Sequence, residues 1–356
     1  MLKYLSEYKN NFNINEFLNE LIDASKYLGI LEAKITGYKF NSILMPMLHS
    51  REAIASMDIE GTQTTITDVL EDELNSEPSG LKKFIEYRNH VITLKRGEEY
   101  LKVDQFSNDF IQKMHLWMLT DVFDSRKQVA IGRYKQKNNF IANSLKKIVF
   151  EPPNFTETKK YMDDLIYYMN HDTDGTHPLI KSAIVHSQFE SIHPFDDGNG
   201  RVGRALVSLY MYKSKLIASP YFYLSDAINQ DKLIYYRKLD SSRKGDLSEW
   251  ISFFLKKIIV QAKKHIEYIE ALNELYEKTK MSVSKCVNSP KFDGIMSILF
   301  KQPVLTSRYL SEHLNISNIQ ANRYLDTLEK NQILYGNDRK RNRLYYFMEL
   351  VELMRR

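Results

Sequence analysis

Cysteine is almost absent from this chain. The single thiol, Cys286, has no partner for an internal disulfide, and a zinc site built on cysteine ligands is excluded. That usage fits a reducing compartment, and the cytoplasm is the expected location. Met1-Leu2-Lys3-Tyr4-Leu5-Ser6-Glu7 has no basic region followed by an apolar run, so no signal peptide is expected. Long apolar runs are missing too. None approaches about 18 uncharged residues, and Phe253-Phe254-Leu255 runs straight into Lys256-Lys257, which rules out a membrane span. Charge of one sign is not in excess: 50 Lys or Arg face 45 Asp or Glu, and a net charge of +5 is weak ground for global attraction to nucleic acid. No repeat and no low-complexity tract is present. Glycine and proline are scarce, at 13 and 9 of 356 residues.

What is there is the composition of an ordinary globular protein, long enough for two or three domains and able to bury about three quarters of its unfolded surface without a staple. Apolar residues recur at spacings of three and four, so the expected fold is mainly α. Ser107 to Leu119 sets Phe110, Ile111, Met114, Trp117 and Met118 on one stripe, and Glu157 to Met169 does the same with Tyr161, Leu165, Tyr168 and Met169. Lys181 to Ile192, Arg201 to Ser214 and Trp250 to Tyr276 are further helices. Gly132 to Ile148 has no helical period and is expected to form a short hairpin, stopped at Pro152-Pro153. Asn288-Ser289-Pro290 marks a boundary. Beyond it, helices over Phe292–Leu299, Ser307–Leu314 (capped by Thr306) and Asn318–Asn331 precede a hairpin from Ile333 to Phe347. This order resembles a winged helix-turn-helix module. Residues 301–356 carry ten Lys or Arg against six Asp or Glu.

The most informative stretch is His193-Pro194-Phe195-Asp196-Asp197-Gly198-Asn199-Gly200-Arg201-Val202-Gly203-Arg204. A helix ends near His193, Pro194 cannot continue it, and a new helix begins near Arg201. Gly198-Asn199-Gly200 supplies consecutive N–H groups and permissive backbone angles at the positive end of that helix, the ingredients of an anion nest. Arg201 and Arg204 lie three apart, hence one turn apart on one face. Asp197 offers a hard oxygen for Mg²⁺ beside bound phosphates. His193 is the base that titrates near neutrality. Taken singly, a Gly-Asn-Gly is usually a turn, a His-Pro a helix stop and an Arg pair a solvated face. Together in twelve residues they describe attack of a hydroxyl on a nucleotide phosphate.

The loop resembles the signature of the Fic family, His-Pro-Phe-x-Asp/Glu-Gly-Asn-Gly-Arg-x-x-Arg, at every specified position. The resemblance implies a Fic-type helical bundle with a short β-hairpin flap, and transfer of AMP from ATP to a Ser, Thr or Tyr hydroxyl of a target protein or of the chain itself. It implies His193 as the catalytic base, Asp197 as the Mg²⁺ ligand, and Gly198, Asn199, Gly200, Arg201, Val202, Gly203 and Arg204 as nucleotide-binding positions. Phe195 would anchor the loop in the core. Gly200 departs from the kinase-like Doc branch, which has lysine there.

A second string, Ser56-Met57-Asp58-Ile59-Glu60-Gly61, is read as the end of a helix over Ser50–Glu60 with Gly61 just past it. Glu60 then lies at the negative helix end, where a carboxylate is disfavoured unless a cation meets it. The string resembles the family's inhibitory motif, Ser/Thr-x-x-x-Glu-Gly/Asn, which implies Ser56, Glu60 and Gly61 as inhibitory residues and a pairing of Glu60 with Arg204. Two further resemblances point to nucleotide contacts: Ile141 and Asn143 in the flap string Asn138–Asn143, and Tyr235-Tyr236 bordering the adenine. His186 and His177 are read as packing residues, and Asp172-Thr173-Asp174-Gly175 as a turn.

The expected organisation is an N-terminal helical region over 1–104, a Fic core over 105–256, a linker helix over 257–288 and a winged-helix domain over 289–356. Expected partners are ATP, Mg²⁺, a target protein, DNA or protein at the winged helix, and a second copy of the chain as a homodimer, with no membrane. Two rival functions stand beside transfer. One is DNA regulation, with Asn318 to Asn331 entering a groove and Arg339 to Arg343 gripping phosphate. The other is removal of AMP from modified proteins by the same site, with Glu60 positioning a water.

Overall fold

The computed structural model of the chain describes residues 2–7, 12–38, 41–75, 79–123, 129–142, 147–171, 175–245, 247–339 and 341–355. Its helices are α1 (Leu18–Thr36), α2 (Asn41–Ile59), α3 (Ile66–Asp72), α4 (Lys82–Val103), α5 (Asn108–Leu119), α6 (Phe155–Asn170), α7 (Pro178–Ile192), α8 (Asn199–Lys213), α9 (Ser225–Gln230), α10 (Lys232–Arg243), α11 (Leu247–Cys286), α12 (Phe292–Lys301), α13 (Ser307–Leu314), α14 (Asn318–Lys330) and α15 (Met348–Arg355). The strands are β1 (Ile141–Ala142), β2 (Ile148–Phe150), β3 (Val304–Leu305), β4 (Tyr335–Gly336) and β5 (Tyr345–Tyr346). None of the described helices is long and apolar enough to cross a membrane.

The central pair is α7 and α8. α7 is capped by the His177 side chain and starts with Pro178, whose missing N–H costs nothing at a helix start. Its apolar residues go all the way round, so it is buried on every side. α6, α10 and α11 close over it, while α4 and α5 cover α8. β1 and β2 form a short antiparallel hairpin before α6.

The largest departure from expectation is α11. The helix expected over Trp250–Tyr276 is part of one 40-residue helix, about 60 Å long, whose apolar stripe runs from Trp250 to Val283 through the 256/257 boundary. Its first half packs on α7 and α10, and it also lies along α1, so it is part of the body rather than a linker. α2 is likewise longer than expected, starting at Asn41 and tolerating Pro46 inside it. Beyond Asn288 the three expected helices and the hairpin are present, together with a strand and a helix that were not anticipated. β3 joins the hairpin in an antiparallel sheet of order β3-β5-β4, and α15 closes the chain.

Candidate active site

The loop between α7 and α8 is shaped by side chains turned inward. His193 ends α7 in the left-handed region (φ 47°), its N–H donating to the Phe189 carbonyl. Phe195 is fully buried, stacked on the His115 ring at 3.8 Å between centroids and 2° between planes. The Gly132 N–H donates to His115 Nδ1 (2.9 Å), so Nε2 carries the proton and donates to the Asp197 carbonyl (3.0 Å). That imidazole is neutral, its pKa lowered to about 4 chiefly by burial. Gly198 then takes φ 79°, which favours glycine, and a Cβ there would stand 2.9 Å from Leu119 Cδ1, so the Leu119 side chain would have to shift.

The hairpin's base is stitched to the same loop. The Lys135 N–H donates to the Pro194 carbonyl (2.9 Å), and its buried Nζ donates to Asn139 Oδ1 (2.8 Å) and the Ile192 carbonyl (3.3 Å). Asn139 Nδ2 donates to the carbonyls of His193 and Phe195, both at 3.0 Å. Burial pulls Lys135 down to about 8. His193 itself is half-buried, and its Nδ1 has no hydrogen-bond partner. Burial, then the cations Arg243 and Lys135, lower its pKa to about 4, so the ring is neutral at pH 7 and able to take a proton.

Opposite lies an ion pair. Arg204 is buried, with Nη2 2.8 Å from Glu60 Oε1, Nη2 3.0 Å from the Ser56 carbonyl and Nε 3.1 Å from Ser56 Oγ. Burial alone would raise the Glu60 carboxyl; Arg204, with Arg201 and Lys232, outweighs it and holds the pKa below the ordinary value. The carboxylate lies over Gly200, at the N-terminal turn of α8.

Comparison with known proteins places this geometry in a family. The family model described as Fic/DOC family matches residues 105–211, and the one described as Fic/DOC family N-terminal matches residues 18–99. The chain belongs to the Fic/DOC family. It is 24% identical over 180 residues to the protein adenylyltransferase Fic of Nematostella vectensis, covering 48% of this chain and 38% of that one. With a probable protein adenylyltransferase of Aquifex aeolicus it shares 27% identity over 210 residues, 56% of this chain and 61% of that one. The chain thus spans less than two thirds of these relatives' lengths. Among solved structures, a Fic family protein from Desulfovibrio desulfuricans superposes with a TM-score of 0.62 at 21% identity, over 95% of this chain and 98% of that one. A Fic domain containing signaling protein from Bacteroides thetaiotaomicron gives 0.57 at 20%, over 69% and 97%.

Within this Fic loop the expected residues divide. His193, Gly198, Gly200 and Arg204 lie on the loop and the first turns of α8, with Glu60 and Ser56 brought against them. Gly61 ends the α2 turn at φ 88°. Others are committed elsewhere. Asn199 is buried, its Nδ2 donating to the Phe195 carbonyl (2.8 Å) and its Oδ1 accepting from the Phe195 N–H (2.9 Å), so it ties the loop with one of its two Nδ2 hydrogens. Arg201 is also buried, paired with Glu86 Oε1 (2.9 Å) and Asp197 Oδ1 (3.2 Å). Val202 is a core side chain, and Gly203 lets α8 press onto Glu190 and Phe189 of α7. Tyr235 is a correction: its ring is buried beneath Trp250, with its hydroxyl 2.9 Å from His186 Nε2, and only Tyr236 (45% exposed) offers a face to solvent. Ile141 is half-buried in β1; Asn143, like Asp172 to Asp174, lies outside the described residues.

Four residues at this site escaped sequence reasoning. Lys135, Asn139 and His115 stitch the loop, and only the Asn138-Asn139 pair hinted at it. Arg243, the last residue of α10, lies over the Phe150 ring at 4.7 Å, close enough to be the second cause of His193's lowered pKa. Among the described residues no cluster of three or more metal-ligating groups occurs. Asp197 is half-exposed, and its Oδ1 accepts from the Gly198 N–H and Arg201, which leaves Oδ2 open. One open carboxylate oxygen is a donor set that Mg²⁺ accepts when phosphate oxygens and water complete its shell.

Proposed function

We propose that the chain is a self-restrained protein adenylyltransferase, moving AMP from ATP to a Ser, Thr or Tyr hydroxyl. The observation that carries this reading is the Glu60 carboxylate itself. It is an anion already seated at the N-terminus of α8, over Gly200 and on Arg204. A phosphate group there would meet the same guanidinium and the same helix end.

In this reading the neutral His193 takes the proton of the incoming hydroxyl as its oxygen bonds to the α-phosphorus. The bond from that phosphorus to the bridging oxygen breaks, and pyrophosphate leaves with the electron pair. Arg204, once free of Glu60, meets the charge that builds on the departing group, which favours the transition state over the ground state. Asp197 would hold Mg²⁺, which supplies charge neutralisation at the phosphates. While Glu60 is seated, its charge repels the distal phosphate and keeps ATP out of line. Incubating wild type, His193→Ala and Glu60→Gly with ATP and Mg²⁺ tests this by mass spectrometry. A 5′-AMP adduct strongest in Glu60→Gly and absent in His193→Ala is expected; no adduct in any of the three folded proteins rejects it.

A second activity is supported at the C-terminal domain. α14 exposes Asn318, Ile319, Gln320, Asn322 and Arg323, types that read base edges. Arg339 and Arg341 are exposed beside it, but Arg343 is spent on Glu329 through two bonds of 2.7 and 2.9 Å. We read this as a weak, salt-sensitive DNA contact. Absence of a gel shift at low salt removes it.

A further inference from the structure

A brake is only as firm as the helix end that presents it, and here that end is tied to the other end of the chain. From Glu60 the backbone reaches α3 through a tight turn. The N–H groups of Glu60 and Thr62 both donate to the Met57 carbonyl (3.0 Å each), and Thr65 caps α3 in a capping box with Asp68. α3 is then gripped by three separate elements of the C-terminal domain. Arg355 Nη2 donates to Thr67 Oγ1 (2.7 Å), Gln302 Nε2 to the Leu70 carbonyl (3.0 Å) and the Tyr346 hydroxyl to Glu71 Oε1 (2.8 Å). α2 is held as well: Arg51 Nη1 donates to the Leu353 carbonyl (3.4 Å).

The seam is not solid. A cavity of about 270 Å³ opens in it, lined by Ala55, Asp58, Thr64, Asp226, Met354 and Arg355, directly behind the turn that carries Glu60. The body of α2 has its own anchor away from the seam, since buried Glu52 accepts from the Ser225 N–H and hydroxyl. The Glu60 end can therefore loosen while the rest of α2 stays. None of the latch groups belongs to α13 or α14.

Resting on the reading of Glu60 as a brake, we propose that the C-terminal domain is its latch: by fixing α3 it fixes the Glu60 carboxylate on Arg204, and detaching α3 releases transfer. The domain's contacts bias an equilibrium between seated and released Glu60, so weakening them shifts the population without touching the site.

The test uses the full chain as Tyr346→Phe, which removes one hydroxyl and leaves the packing, and as Gln302→Ala/Arg355→Ala. Each is made with Glu60 intact and in Glu60→Gly, and self-labelling by radiolabelled ATP with Mg²⁺ is timed. The expected result is labelling at least about threefold faster than wild type in the latch variants, with no added rise on Glu60→Gly. Wild-type rates in folded latch variants, or an equal rise on both backgrounds, overturn the latch. Amide exchange at residues 57–62 gives a readout that needs no transfer: it should quicken in both latch variants and stay slow in wild type. If Glu60→Gly fails to label while exchange quickens, the fault lies with the transferase reading; if Glu60→Gly labels and exchange is unchanged, it lies with the latch.

Discussion

The Glu60 carboxylate rests so close to Gly200 that a Cβ on that residue would stand 2.5 Å from Oε1 and 2.9 Å from Arg204 Nη1. Two helices distant in sequence thus share one small space, and a side chain at position 200 would have to displace the Glu60–Arg204 pair to fit. In the proposed function that one space serves both the brake and the phosphate. The two must exclude each other by simple overlap, without any long-range mechanism.

Competition of this kind has a thermal signature. Removing Glu60 strips the buried Arg204 of its ion-pair partner, which costs stability, although less than the 3–5 kcal/mol of a fully buried pair because the Glu60 side chain is 32% exposed. Glu60→Gly should melt below wild type without ligand. ATP with Mg²⁺ should then raise its Tm by about 2 °C more than it raises that of wild type, because the distal phosphate no longer meets a seated carboxylate. Equal ligand shifts in differential scanning fluorimetry would contradict overlap.

In the proposed reaction His193 should accept a proton unusually far into acid. His193 is held near 4, first by burial and then by Arg243 and Lys135, against an ordinary value of about 6.5. A lowered pKa means that the neutral, proton-accepting form persists as pH falls and is lost only on passing through about 4. Glu60 pushes the other way, so its removal extends the neutral range further. Labelling by Glu60→Gly at saturating ATP should vary less than about twofold between pH 5.5 and 8. A midpoint near 6.5 would show that the ring is not so enclosed. Arg243→Gln should move the acid limb upward.

How much of this was legible beforehand depends on whether the deciding contact is local. The loop's twelve residues are contiguous, so their turn, their glycines and the one-turn spacing of Arg201 and Arg204 could all be read in line. Thr306 likewise caps α13 where the sequence placed it. The partners of Arg201 could not: Glu86 sits on α4 far upstream, and nothing in its neighbourhood marks it as the partner of Arg201. Tyr235 and Tyr236 show the same limit at close range. Adjacent side chains on a helix point about 100° apart, so one tyrosine met Trp250 while its neighbour met solvent. The helix read over Trp250–Tyr276 proved longer at both ends, because apolar spacing reports which face is buried and not where the helix stops.

The loop ties should be separable from the chemistry. Asn199→Ala removes a donor and an acceptor that together close the Phe195 turn, leaving a buried N–H and carbonyl to share what remains; a loss of about 2–4 kcal/mol is expected from chemical denaturation. Gly198→Ala meets both left-handed strain and the Leu119 side chain, for about 1–3 kcal/mol. Neither change touches the Arg204 pair, so each should lower stability and transfer together, whereas His193→Ala should lower transfer alone. Wild-type stability in Asn199→Ala would mean that the amide is not the tie described here.

The tyrosine pair permits a sharper division. Tyr235 gives its hydroxyl to His186 Nε2 in a site where burial holds that imidazole near 3, so His186 stays neutral and the bond is a neutral one. Tyr235→Phe leaves the His186 ring nitrogen buried without a partner and should cost about 1–3 kcal/mol of stability, with KM for ATP unchanged. Tyr236 keeps nearly half its surface exposed and lies close enough to Glu60 and Arg204 for their charges to act on its hydroxyl. If its ring carries the adenine, Tyr236→Ala in the Glu60→Gly background should raise KM for ATP about fivefold or more through lost stacking, with little change in Tm. Tyr236→Phe should restore it, since a stack needs the face and not the hydroxyl. A rise in KM from Tyr235→Phe, with Tyr236→Ala silent, would reverse the assignment and place the base on the buried ring's side of α10.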